Sequence, residues 1–144
     1  MERSAMINPE NNCFEEIQHT ADWAIRVCAS SPEALFECCA SGMYSLLKVK
    51  KSNESPEIQK KIHLQGVDLE SLLVSFLSDL LFFYETERVV FNWMRLRIQN
   101  NELDGELRGF FIESIQEEIK AVTYHQMEIK QNAKGLSVTV VFDV

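Results

Sequence analysis

The sequence predicts one α+β domain in which two helices pack on one face of a mainly antiparallel sheet. Two stretches have apolar residues at helical spacing, and extended segments with alternating apolar residues precede, separate and follow them. The expected order is strand, strand, helix, strand, helix and four further strands, and the hairpins at the end favour antiparallel pairing. At 144 residues the chain has the size of a single domain, which we expect to span residues 13–144.

The first half of the chain is predicted to hold two strands and the first helix. Residues 1–12 are polar and lack periodicity, so we expect a flexible N-terminal leader. Strands are expected at residues 13–17 and 23–29. The helix should begin at Ser30-Ser31-Pro32-Glu33, because serine can cap a helix, proline fits the first turn and a glutamate suits the positive end of the helix dipole. It should continue to about residue 47.

The second half begins with a charged loop over residues 48–57 and a strand that starts at Ile58 and closes at Gly66. Asp68 is the expected N-cap of the second helix, whose apolar stripe should face the sheet. The stripe comprises Leu69, Leu72, Leu73, Phe76, Leu77, Leu80 and Leu81. Four strands are then expected at about 89–99, 102–110, 117–130 and 135–144, separated partly by turns at Asn100-Asn101 and 132–135.

Charge and cysteine content limit the classes of function. The formal charge of −8 argues against direct binding of nucleic acid, because release of counterions by basic residues dominates such affinity. Any role in RNA chemistry is therefore expected to act through a protein partner. The chain shows no signal peptide and no stretch near the roughly 20 apolar residues of a membrane span, so we expect a cytoplasmic protein. Its cysteines, Cys13, Cys28, Cys38 and Cys39, are expected to be reduced, mostly as small core residues.

The end of the sequence is the first candidate site. Residues 138–144 predict a strand that runs to the last residue, with Asp143 beside Val144. If that strand is ordered, the Asp143 carboxylate and the α-carboxylate of Val144 are close together and need a counter-charge. A hard cation that prefers oxygen ligands would supply it. The alternative is that both groups are solvated at a loose chain end.

Two further segments contain residues suited to chemistry. His19-Thr20-Ala21-Asp22 places an imidazole and a carboxylate three residues apart between strands, where Asp22 could hold a metal, orient a histidine or cap the turn. In the expected strand 117–130, His125 falls on an otherwise apolar row and Lys120 on the opposite face. A histidine on such a row is more often a hydrogen-bonded core residue than a ligand. Motifs of phosphate loops, serine hydrolases and zinc proteases are missing, so catalysis is not expected.

Together these segments resemble the archease family. The matching strings are HTAD at 19–22, KAVTYH at 120–125 and VFDV at 141–144, with a long helix over 66–81, and the likeness covers about residues 14–144. The resemblance implies an α+β fold and a non-enzymatic accessory protein. Such a protein activates a GTP-dependent RNA-splicing ligase by promoting its guanylylation and multiple turnover, in tRNA splicing or RNA repair, and meets RNA only through the ligase.

The resemblance also implies a divalent-cation site, usually of calcium. Its ligands here would be Asp22, Asp143 and Val144, the last through its terminal or main-chain oxygen. His19, Lys120 and His125 would be supporting or partner-contact residues. The sequence departs from the family pattern at Gln18, where an acidic residue is common, and at 113–117, which lacks the expected histidine or basic residues.

Two other functions stay open at this point. The first is a metal-dependent hydrolase acting on a phosphate ester, with Asp22 and Asp143 around the ion and His19 as base. No signal for an open metal site with a placed nucleophile supports it. The second is a small-molecule-binding domain, which requires an apolar pocket between helices and sheet. The sequence does not define the oligomeric state.

Overall fold

The computed structural model describes residues 5–6, 13–18, 22–50 and 55–144, with the backbone alone described at Ala5, Met6, Gln18 and Asp22. Within these residues the chain forms two helices and nine strands. In chain order they are β1 (Ala5–Met6), β2 (Phe14–Gln18), β3 (Asp22–Ala29), α1 (Pro32–Leu47), β4 (Ile58–Gln65), α2 (Leu69–Glu87), β5 (Val89–Gln99), β6 (Glu102–Phe111), β7 (Ala121–Thr123), β8 (Lys130–Asn132) and β9 (Gly135–Asp143).

The strands form two antiparallel sheets. One has the order β1-β5-β6-β4, and the other has the order β2-β3-β9-β7, with β8 also paired to β9. The predicted α+β class is confirmed, but the expected single sheet is two. The physical reason is the packing of the helices: α1 contacts β2, β3, β9 and β5, whereas α2 contacts β4, β5, β6 and β7. Each helix therefore covers apolar surface on both sheets, and one core serves the whole domain.

Local capping explains where both helices begin. Ser31 is the N-cap of α1, and its hydroxyl oxygen accepts a hydrogen bond from the Ala34 N–H at 3.1 Å. Asp68 caps α2 by accepting from the Ser71 N–H at 2.7 Å, while the Ser71 hydroxyl oxygen accepts from the Asp68 N–H at 3.2 Å. These bonds satisfy N–H groups that lack a partner within the helix. The predicted apolar stripe of α2 is in the core, with Leu69 half-buried at its start.

The expected strand over residues 117–130 is wrong. It is replaced by the short strands β7 and β8, separated by a turn in which Gln126 has a φ of 53°. The segment lacks a continuous ladder of strand hydrogen bonds, and side chains of α2 bond to its main chain. The Tyr84 hydroxyl donates to the Glu117 carbonyl at 3.0 Å, and the Glu70 carboxylate accepts from the Ile129 N–H at 3.0 Å. The segment therefore pairs with β9 at β7 and β8, and contacts with α2 hold the main chain at Glu117 and Ile129.

The prediction of four reduced cysteines is wrong for two of them. Cys13 and Cys38 form a disulfide, with their Cα atoms 6.0 Å apart. Cys28 and Cys39 are free, the first exposed and the second buried. The pairing depends on how the start of β2 meets α1, which the spacing of cysteines along the chain does not reveal.

The N-terminal segment is described only at β1, where Ala5 and Met6 pair with Met94 and Trp93 of β5. The rest of the predicted leader over residues 1–12 lies outside the described residues. Neither helix of the described chain is long and apolar enough to cross a membrane.

Candidate metal site

The start of β3 and the end of β9 meet at one end of the five-stranded sheet. Asp22 is the direct cross-strand partner of Asp143, and Ala121 of β7 is the partner of Asp143 on its other side. Residues that are directly opposite in an antiparallel pair have Cβ atoms about 4.5–5.5 Å apart. The register thus brings two aspartates that are distant in the sequence into one short row.

The main chain at this end of β9 is well held. The Lys120 N–H donates a hydrogen bond to the Asp143 carbonyl oxygen at 2.7 Å. Val144, directly after β9, is half-buried and packs against the hydrophobic core. The Asp143 side chain is exposed. These contacts favour an ordered strand end with a solvent-facing carboxylate over the alternative of a loose end.

The donor groups at this position suit a hard cation. Like charges directly across a sheet are destabilising, and an ion with oxygen ligands offsets such repulsion. Among the described side chains no group of three or more His, Cys, Asp or Glu residues could hold a metal, and the Asp22 side chain is not among those described. The fit of a cation therefore rests on the register of Asp22 with Asp143 and on the oxygen chemistry of both residues.

The three predicted supporting residues have different positions. Lys120 is exposed and lies next to the aspartate row, immediately before β7. His125 lies beyond the other end of β7, in a turn where its N–H donates to the Thr123 hydroxyl oxygen at 3.2 Å. Its side chain is exposed, so its expected place on a buried apolar row is wrong, because the strand ends at Thr123. His19 lies outside the described residues.

The hydrogen bond from the Lys120 main chain is the contribution to this site that sequence reasoning missed. Every residue except proline has a backbone N–H, so no residue type marks the one that holds a particular carbonyl. The KAVTYH string indicated the region but suggested a role for the Lys120 side chain. The register of β7 with β9 shows that the Lys120 main chain holds the Asp143 carbonyl, while the role of the Lys120 side chain stays a prediction.

A second group of charged residues lies on the four-stranded sheet. His63 Nδ1 is 2.8 Å from Asp104 Oδ1, and this hydrogen bond raises the pKa of His63. Asp104 also lines a cavity of about 610 Å³, whose wall combines charged side chains such as Lys61, Arg95 and Glu106 with apolar ones such as Ile62 and Leu96. Charged side chains therefore share the wall of this cavity with apolar ones, and the small-molecule function stays a prediction.

The fold is that of two solved structures. One is the solution structure of protein 1598 from Methanobacterium thermoautotrophicum, with a TM-score of 0.64 and 24% identity, covering 92% of this chain and 99% of that one. The other is the crystal structure of an archease, possible chaperone, from Thermotoga maritima, with a TM-score of 0.68 and 24% identity, covering 90% and 96%. The chain is therefore an α+β protein of this two-helix fold.

Sequence comparison identifies the family. The pattern of the archease protein family (MTH1598/TM1083) matches residues 14–144. Protein archease of Pyrococcus furiosus is 36% identical over 131 residues, covering 85% of this chain and 91% of the relative. Protein archease of Methanosarcina barkeri is 34% identical over 140 residues, covering 91% and 95%. This chain belongs to the archease family.

Proposed function

We propose that this protein is a cytoplasmic accessory protein that activates a GTP-dependent RNA-splicing ligase. It promotes guanylylation of the ligase and allows the ligase multiple turnovers in tRNA splicing or RNA repair. The observation that carries the proposal is the register of Asp22 with Asp143. This register brings together two of the segments by which the chain resembles the archease family. The family match over residues 14–144 assigns the chain to that family.

In this proposal Asp22, Asp143 and the main-chain oxygen of Val144 hold a divalent cation, calcium. The cation supplies the positive charge that two neighbouring carboxylates need, and it holds the end of β9 beside the start of β3. The hydrogen bond from Lys120 to the Asp143 carbonyl supports the same geometry from β7. A well-defined, exposed end of the sheet results, which suits docking to another protein.

The ligase is the partner, and RNA is met only through it. The net charge of −8 favours binding to the ligase over direct binding to RNA. A ligase cleft that holds RNA is basic, and opposite electrostatic charges on two proteins speed their association. Lys120 stands beside the metal ligands, whereas His125 is exposed at the far end of β7. We assign His125 and His19 to partner contact rather than to the cation. The protein itself contributes no catalytic group.

A ligase-stimulation assay tests the proposal. The protein is added in substoichiometric amounts to a cognate ligase with GTP, calcium and RNA, and both the ligase–guanylate adduct and the number of ligation rounds are measured. Asp22→Ala and Asp143→Ala are expected to abolish stimulation. Glu128→Ala is the matched control, because it removes an exposed carboxylate outside the site and should stimulate like wild type.

Two outcomes would contradict the proposal. Normal stimulation by both aspartate variants would show that the metal ligands are wrongly assigned, provided that circular dichroism finds all variants folded. Metal-dependent hydrolysis of RNA or nucleotides by the protein alone, lost in the same two variants, would favour the phosphate-ester hydrolase instead.

A further inference from the structure

A disulfide fastens the first residue before β2 to the middle of α1. Cys13 is bonded to Cys38 across 25 residues of sequence. Both residues are half-buried, so the bond lies at the margin of the core rather than deep inside it. In the strand order of the described residues, β2 is at one edge of the five-stranded sheet and pairs with β3 alone. The disulfide therefore holds a strand that has ladder hydrogen bonds on one side.

The other contacts between β2 and α1 are weaker. The Ser45 hydroxyl donates to the Glu16 carboxylate at 2.8 Å, but this bond is exposed to water. Phe14 is half-buried and lies close to Gly42, where an added Cβ would be 3.2 Å from the Phe14 ring. Exposed polar contacts contribute little, and edge elements open locally at a small cost in free energy. The covalent bond is thus the strongest contact at the start of β2.

The two free cysteines near this bond differ in reactivity and position. Cys39 follows Cys38, but burial raises the pKa of its thiol, so it supplies little reactive thiolate. Cys28 is exposed on β3, and the pairing of Phe14 with Val27 places it beside Cys13 along the sheet. Cys28 is therefore the free thiol that could compete with Cys38 for Cys13, and the structure has it unbonded.

We propose that Cys13–Cys38 is a site of reversible thiol–disulfide exchange whose state determines whether β2 is clasped to α1. The co-reactant is a low-molecular-mass thiol or disulfide of the glutathione class. That the bond is reversible rather than permanent rests on the cytoplasmic location in the proposed function, because disulfides in that compartment are mostly transient or redox-sensing. The clasp itself does not depend on the metal or on the ligase.

The exchange proceeds in two balanced displacements. A glutathione thiolate attacks one sulfur of the Cys13–Cys38 bond, which forms a mixed disulfide and releases the other cysteine as a thiolate that takes up a proton. A second glutathione thiolate attacks the mixed disulfide, so oxidised glutathione leaves and the second protein thiol is freed. Two electrons pass from the glutathione pair to the protein, and oxidised glutathione drives the reverse reaction.

The test equilibrates the folded protein in buffers with different ratios of reduced to oxidised glutathione. Alkylation followed by peptide mass spectrometry identifies the linked cysteines, and hydrogen exchange reports on residues 13–18. With oxidised glutathione in excess we expect a Cys13–Cys38 link and free Cys28 and Cys39. With reduced glutathione in excess we expect the disulfide to open. Amide hydrogen exchange in β2 should then accelerate roughly tenfold, which corresponds to about 1.4 kcal/mol of local opening free energy. Amide hydrogen exchange in β9 should not change.

Two variants separate the clasp from general effects of mutation. Cys13→Ser should exchange like the reduced wild type in every buffer, while Cys28→Ser should respond to glutathione like the wild type. Four alkylated cysteines under oxidising conditions would overturn the proposal, as would a Cys13–Cys28 link in place of Cys13–Cys38. A bond that resists excess reduced glutathione, or β2 exchange that is equal in both states, would also overturn it.

Discussion

Replacement of Asp143 by asparagine tests the metal site, because the variant should be more stable than wild type without calcium and less stable than wild type with calcium. Asparagine keeps the size of the side chain and the carbonyl that accepts from Lys120, but it removes one of two neighbouring negative charges. Without a divalent cation, Asp143→Asn should therefore raise the free energy of unfolding. The expected gain is about 0.2–1 kcal/mol, the scale of a cross-strand side-chain pair.

Calcium should reverse that order. A ligand that binds only the folded state at 100 times its dissociation constant adds about 2.7 kcal/mol to stability. For a chain of this length, about 1 kcal/mol corresponds to about 4 °C in melting temperature, so wild type should gain about 10 °C. The Asp143→Asn protein lacks one charged ligand and should gain only a small part of this shift at the same calcium concentration.

The measurement is thermal unfolding by circular dichroism, first with a chelator and then over a calcium titration. Glu128→Gln is the control, since it removes an exposed negative charge elsewhere and should keep the full calcium shift. The reasoning is refuted if calcium stabilises Asp143→Asn as much as wild type. It is also refuted if Asp143→Asn is the less stable protein in chelator.

Three further predictions concern two glycines in packed positions and one histidine–aspartate pair on the four-stranded sheet. A Cβ at Gly109 would collide with the main-chain oxygen of Val90, so Gly109→Ala should lower the free energy of unfolding in urea by about 3 kcal/mol or more. A Cβ at Gly42 would lie 2.7 Å from Ile25 Cδ1 and 3.2 Å from the Phe14 ring, so both side chains would have to shift. The overpacking cost of about 1–3 kcal/mol is partly offset by about 1 kcal/mol of helix propensity, so Gly42→Ala should lower the free energy of unfolding less than Gly109→Ala does. Asp104→Asn should lower the pKa of His63 in an NMR titration, because their hydrogen bond raises it. Because the pKa of His63 is raised in the folded protein, the pair stabilises the fold fully below about pH 6.5, the pKa of an unfolded histidine. This contribution is lost as the pH rises through the folded-state pKa of His63. The difference in free energy of unfolding between wild type and Asp104→Asn should therefore shrink at higher pH.

The helices and the central hairpin follow from local signals in the sequence. Ser31 and Asp68 cap α1 and α2 where predicted, because a cap needs only groups three residues away. Asn100 and Asn101 make the turn between β5 and β6 with φ values of 54° and 58°, a conformation that asparagine tolerates well. These features depend on neighbours in the chain, and the sequence lists those neighbours directly.

The segment between β6 and β9 shows where local reasoning fails. Its alternating pattern predicted one strand over 117–130, yet the ladder with β9 is interrupted between β7 and β8, and Tyr84 and Glu70 of α2 bond main-chain groups on either side of β7. The disulfide of Cys13 with Cys38 has the same origin, since it forms where an edge strand happens to cross a helix. Both outcomes depend on partners that are far apart in the sequence.

The candidate site combines the two kinds of information. The sequence by itself determined the residue types, two aspartates in motifs that resemble the archease family, and with them the proposal of a cation that prefers oxygen ligands. Only the tertiary structure decided that Asp22 faces Asp143 across β3 and β9, and that the Lys120 main chain holds the Asp143 carbonyl. Residue chemistry is a property of each position, whereas strand register is set by the packing of the whole core, because a shift of one residue would turn every buried side chain of the strand to the other face.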